Sequence, residues 1–157
     1  MIEFRPISER GLEELKKGYC EEALKGLAPA LRSDAASRDA IRLHILESVA
    51  NALESSHDYL YDVVETANRM GVGAVWYRLH RDGWFSDTAM IVWLSIAPER
   101  RRQGFATATL RELQRSLKEQ GISRLTLEVF SSNKGARKLY RSLGFQEQRS
   151  VLDLTLG

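Results

Sequence analysis

A single cysteine, Cys20, occurs in 157 residues. Its solitude excludes an intrachain disulfide and a cysteine metal cluster, and it suits a reducing compartment such as the cytoplasm. Histidine is nearly as scarce. His44, His57 and His80 include no pair at metal-ligand spacing, so no metal site is expected. No stretch approaches 18 uncharged apolar residues, and Met1 to Lys17 lacks an apolar signal core. Neither a membrane span nor a secretory leader is therefore expected. Repeats, low-complexity segments and linkers are missing too. What remains fits one mixed α/β domain over residues 1–157. Hydrophobic residues make up 43% and charged residues 28% of a chain long enough to bury roughly 70% of its unfolded surface.

The net charge of +2 conceals an asymmetry. Residues 1–98 carry 11 Lys/Arg and 15 Asp/Glu, net −4, whereas residues 99–157 carry 12 and 6, net +6. Such a split suggests an anionic partner for the second half.

The chain reads as early helices, an antiparallel meander, then β-α-β-α-β. Ile2, Phe4 and Arg5–Pro6 predict an opening strand. Ser8 caps a helix with Leu12, Leu15, Tyr19 and Leu24 on one side, and Pro29 ends or interrupts it. Asp34 begins a second helix, in which Leu43, Leu46, Ala50 and Leu53 recur at helical spacing. Residues 59–65 and Val72 to Leu79 are strands; in the latter, Val75, Tyr77 and Leu79 share one face and Ala74 and Trp76 the other. Thr88 to Ala97 is apolar on both faces, as a central strand would be, and Pro98 closes it. Gly104 to Gln120 is a helix with Ala106, Leu110, Leu113 and Leu117 inward, ended by Gly121. Ile122 to Phe130 is a strand. Ser132 or Asn133 caps a last helix carrying Ala136, Leu139, Tyr140 and Leu143. Phe145 to Leu156 supplies one or two closing strands.

The informative segment is Ser95-Ile-Ala-Pro-Glu-Arg-Arg-Arg-Gln-Gly-Phe-Ala106. A buried strand enters a basic loop with a glycine and passes straight into a helix. The first amides of a helix have no internal partners and carry the positive end of its dipole. Gly104 lets a phosphate approach the backbone, and Arg100, Arg101 and Arg102 add charge beside it. Together they make an anion site suited to a pyrophosphate. The segment is neither a GxxxxGK[ST] phosphate loop nor a GxGxxG dinucleotide loop.

Arg101-Arg-Gln-Gly104-Phe-Ala106 matches the R/Q-x-x-G-x-G/A signature of the GNAT superfamily of N-acetyltransferases. Leu127-Glu-Val-Phe-Ser-Ser-Asn133, followed by Ala136, Leu139-Tyr140 and Leu143-Gly144-Phe145, is similar to that family's second conserved block. That block most resembles the ribosomal-protein alanine acetyltransferases. The resemblance covers about residues 88–157, while the N-terminal half resembles no acceptor-defined subgroup and its helical region, about residues 8–55, is expected to be particular to this chain.

The resemblance implies a GNAT-like fold. Its sheet would be mostly antiparallel and twisted, with six to seven strands, splayed between the fourth and fifth, and flanked by about four helices. It implies transfer of an acetyl group from acetyl-CoA to an amine by direct attack, with no metal. The pyrophosphate would sit at the loop and helix start formed by Arg101, Arg102, Gln103, Gly104, Phe105, Ala106 and Thr107. The pantetheine arm would enter the splay beside the backbone of Leu94, Ser95 and Ile96, with Asn133 and Tyr140 touching the cofactor.

The chemistry sets its own demands. A lysine-like amine has a pKa of about 10.4, so a base must take a proton, and the leaving thiolate benefits from an acid. Glu128 is the candidate base; the plainer alternative is a solvent-facing strand glutamate. Tyr140 is the candidate acid, with a core aromatic as its plainer role; a tyrosine combines a buried ring with an exposed hydroxyl. Asp87, Glu65 and His57 are secondary candidates for the base. Trp76, Trp84 and Trp93 are candidates to line an acceptor pocket, with one or two of them expected in the core instead.

The acceptor is left open between small-molecule and peptide amines. Family members are often dimers, so a homodimer is allowed. Two other classes are alternatives. One is a CoA-binding regulatory or interaction module without turnover. The other is a nucleic-acid binder, disfavoured because the arginines sit in one loop without an aromatic platform.

Overall fold

The computed structural model describes every residue except 28, 81, 82, 84, 85, 153, 155 and 157. After a short opening strand, two long helices start from the caps expected for them. Ser8 accepts a hydrogen bond from the Gly11 amide at 3.0 Å and starts α1 (Glu9–Lys25). Asp34 accepts from Ser37 N at 2.8 Å and starts α3 (Ala35–Glu54). A short α2 (Pro29–Ser33) lies between them, where proline's fixed φ suits a first helical turn.

The strands are β1 (Ile2–Pro6), β2 (Asp58–Glu65), β3 (Gly71–His80), β4 (Thr88–Ile96) and β5 (Arg124–Leu127). They form one sheet in the order β1-β2-β3-β4-β5. Its first four strands pair antiparallel and β5 pairs parallel to β4. α4 (Phe105–Glu119) links β4 to β5, and α5 (Lys134–Ser142) follows β5.

Helices cover both faces of the sheet. Val75, Tyr77 and Leu79 join Leu110, Leu113 and Leu117 of α4 on one face. Ala74 and Trp76 join Leu15 of α1 and Ile45, Val49 and Ala52 of α3 on the other. The period-2 alternation of β3 thus splits its side chains between two cores.

Several expectations need correction. Leu43, Leu46 and Leu53 do not face the core; they are 58%, 45% and 50% exposed, and the buried stripe of α3 is Ile45, Val49 and Ala52. α3 is apolar on two sides, so periodicity offered two stripes, and the fit against Trp76 selected one. The strand expected over Ile122 to Phe130 is shorter, Arg124–Leu127. The sheet has five strands rather than six to seven among the described residues, and five α-helices rather than about four. Phe145 to Leu156 adds no strand among its described residues, and Val151 and Leu152 stand in solvent. Alternation supplies a face, but a strand also needs a ladder partner.

Candidate active site

The site begins where a ladder ends. β4 and β5 pair from Thr88↔Arg124 to Ile91↔Leu127, and there the pairing stops. β4 continues through Leu94, Ser95 and Ile96, paired only with β3. A bulge marks the divergence: Trp76 pairs with Trp93 and Tyr77 with Ile91, leaving Val92 as the extra residue. Across it the side-chain parity of β4 changes. Ala89, Ile91 and Leu94 pack on the α4 side, while Val92 and Trp93 both pack on the α1 side. Beyond the bulge, every second residue of β4 turns its own N–H and C=O toward the gap.

Because β4 and β5 are parallel, α4 and α5 both start at the open end of this gap. The loop before α4 is bolted down by its own arginines. Arg100 pairs with Glu65 and lies over the Phe105 ring, 4.8 Å from its centre. Arg101 donates from Nε to the Ile96 carbonyl at 3.0 Å. Arg102 makes no side-chain bond among the described residues, and it takes a left-handed φ of 61°. Gln103 donates to the Glu99 carbonyl at 3.1 Å. Gly104, at φ 85°, is the N-cap of α4 and offers no capping side chain. The amides of Phe105, Ala106 and Thr107 therefore open the helix without a side-chain acceptor, and Thr109 serves only the Phe105 carbonyl, at 2.8 Å.

On the β5 side, Asn133 caps α5 by accepting from Ala136 N at 3.1 Å. Tyr140 sits two turns on, its ring edge-on to Phe145 at 5.6 Å and packed in the α4-side core. Its side chain is partly buried, and its hydroxyl has no bond among the described residues. Burial of the side chain raises its pKa above the ordinary tyrosine value.

Glu128 follows the last residue of β5 and is exposed. Leu125 and Leu127 pack on the α4 side, so alternation turns Glu128 toward α1. The Tyr19 hydroxyl on α1 feels it: burial raises the Tyr19 pKa first, the Glu128 charge raises it further, and Arg78 opposes both. Tyr19 stacks on Trp93 at 5.2 Å and meets Trp76 edge-on at 6.1 Å. α1 itself spans both lips of the gap. A side-chain carbon at Gly18 would touch the Trp93 ring at 3.1 Å, and one at Gly26 would reach the Phe130 ring at 2.3 Å. Trp93 Nε1 is buried beneath it without a partner among the described residues.

The secondary candidates fall elsewhere. Asp87 accepts from Ser123, and His57 lines a hollow of about 390 Å³ with Asp58, Arg78 and His80; both mark the closed end of the sheet. Glu65 is taken by Arg100. Trp76 is core, and Trp84 lies outside the described residues. The sequence marks Tyr19 only as an apolar helix position, because its spacing is that of the leucines beside it.

The splayed parallel pair, the uncapped helix start and the two motif segments converge in one place. The sequence model of the Acetyltransferase (GNAT) family matches residues 29–145. The chain belongs to the GNAT family. The [ribosomal protein bS18]-alanine N-acetyltransferase of Escherichia coli is 41% identical over 61 residues, 39% of this chain and 41% of that protein. The chain thus matches about two fifths of the length of these curated relatives. The solved structure of YycN from Bacillus subtilis, named an acetyltransferase, superposes with a TM-score of 0.82 at 26% identity over 99% of both chains. AAC(6')-Iy, solved with a bisubstrate analog containing CoA, shares the GNAT fold at a TM-score of 0.63 and 16% identity, over 100% of this chain and 99% of that one. Among the described residues no helix is long and apolar enough to cross a membrane.

Proposed function

We propose that residues 1–157 act as one acetyl-CoA-dependent N-acetyltransferase domain, moving an acetyl group to a primary amine by direct attack. The observation that carries this reading is the half-paired β4. Its ladder to β5 ends at Ile91, and its free edge opens between two helix starts. Buried backbone groups need partners. An extended, amide-bearing arm lying along Leu94, Ser95 and Ile96 would provide them, with a pyrophosphate on the amides from Gly104 to Thr107. Arg101, Arg102 and Gln103 frame that loop, and Asn133 borders the arm from the other lip.

The two candidate groups for proton transfer sit on opposite faces. Glu128 faces the α1 side, with Tyr19 and Trp93, where the amine would arrive. It takes the amine proton as the N–C bond forms. Tyr140 lies on the α4 side. It gives its hydroxyl proton to the sulfur as the C–S bond breaks, and its raised pKa keeps that proton in place at neutral pH. Acetyl-CoA supplies the activated thioester; no step calls for a metal.

An acceptor screen tests this reading. Purified protein is incubated with acetyl-CoA and a panel of peptide N-termini, lysine peptides, aminoglycosides and polyamines, and free thiol is followed. Amine-dependent thiol release is expected. Tight CoA binding with no release across the panel would instead leave a coenzyme-binding module without turnover.

A further inference from the structure

The outer face of α5 carries positive charge that the proposed reaction does not use. Lys134, Arg137, Lys138 and Arg141 recur at three- and four-residue spacing, while Leu139, Tyr140 and Leu143 pack inward. With Ser131 they line an open hollow of about 470 Å³. Glu147 is the carboxylate paired with them among the described residues, with Arg137 at 3.0 Å and Arg141 at 3.9 Å. Lys134 and Lys138 are exposed and have no ion pair among the described residues.

This arrangement runs against local preference. Neighbouring like charges repel along a helix. The first turn of α5 holds no acidic residue, and Lys134 places a cation at the positive end of the dipole. Breaks of this kind are expected where function compensates them. An anion seated in the hollow would relieve both conflicts.

Position narrows the anion. The hollow begins at Ser131, just past β5, and the two helix starts share the open end of the β4–β5 gap. Resting on the coenzyme reading above, we propose that this hollow holds the 3′-phosphate at the nucleotide end of CoA. That group is distinct from the pyrophosphate assigned to the Gly104 loop. A phosphate monoester carries about −1.5 to −2 charges at neutral pH, enough to draw on both lysines. Arg137 and Arg141, held by Glu147, shape the wall of the hollow.

Calorimetry with CoA and 3′-dephospho-CoA tests the assignment. Wild type should bind CoA about tenfold more tightly, as two charge-assisted contacts at a partly exposed site would allow. The double variant Lys134→Ala/Lys138→Ala should bind both compounds alike, at the wild-type affinity for 3′-dephospho-CoA. Both lysines are exposed and alanine is a good helix former, so the variant should fold; its thermal midpoint checks that. Equal wild-type affinities for the two compounds overturn the hollow and leave the coenzyme reading standing, as does a variant that keeps the wild-type preference. Failure of wild type to bind either compound overturns both.

Discussion

β4 has two neighbours and treats them oppositely. Toward β3 it is paired along its length, from Thr88↔His80 to Ile96↔Gly73, with one bulge at Val92. Toward β5 it pairs only as far as Ile91. The antiparallel side is closed and buried: Val72, Val75 and Trp76 are at most 1% exposed. The parallel side ends in a gap bordered by exposed Gly104, Glu128 and Asn133. The same strand therefore contributes stability on one edge and an opening on the other. Substitutions on the first edge should act on folding, and those around the second on binding and turnover.

Trp76→Ala should give the largest effect and confine it to folding. It leaves a core cavity and removes the Nε1 donor that the buried Asp58 carboxylate accepts at 2.7 Å. A loss of about 3–5 kcal/mol is expected by chemical denaturation. A loss under about 1 kcal/mol would mean that the antiparallel side is not the stable one.

Gly104→Glu should weaken CoA binding at least about 100-fold in calorimetry, since it sets bulk and negative charge beside the uncapped amides. Forcing a side chain to φ 85° should also lower stability by about 1 kcal/mol. Retained CoA affinity would separate the pyrophosphate from this loop.

Tyr140→Phe should slow turnover at least about 100-fold with CoA affinity and thermal midpoint unchanged. An acid must be protonated to act, and the Tyr140 pKa is raised. The wild-type rate should therefore fall with rising pH only above the ordinary tyrosine value, and the variant should lack that limb. A variant with the wild-type rate and profile would leave Tyr140 a packing residue alone.

Trp93→Phe should have the smallest effect on stability. It keeps a ring against Tyr19 and removes a buried donor that has no partner among the described residues. Stability should stay level or rise by up to about 1 kcal/mol in denaturant titrations. A clear loss would show that Nε1 has an acceptor beneath α1.

The chemistry-bearing loop was the most legible part of the sequence. Its physics is local: a glycine at a left-handed φ, a helix start without a cap, and an Asn133 cap are all set by neighbours in the chain. The three arginines were legible as charge but not as roles. Arg100 and Arg101 hold the loop to Glu65 and Ile96, contacts 35 and 5 residues away, which no local pattern encodes. The buried stripe of α3 was hidden for a related reason. Two apolar stripes satisfy the same period, and only Trp76 on β3 distinguishes them. The bulge at Val92 left no mark either, because β4 is apolar on both faces and its parity change swaps one apolar side chain for another.

The amino-acid sequence by itself determined the order of elements, the caps at Ser8, Asp34 and Asn133, the basic turn into α4 and the membership these segments announce. Each depends on interactions within a few residues. The tertiary structure alone decided that β5 leaves β4 after Ile91, that Glu128 and Tyr140 face opposite sides, and that α1 lays Tyr19 across the gap. Those outcomes depend on which faces pack together once backbone ladders and two cores are satisfied at the same time, and that competition is settled only between distant parts of the chain.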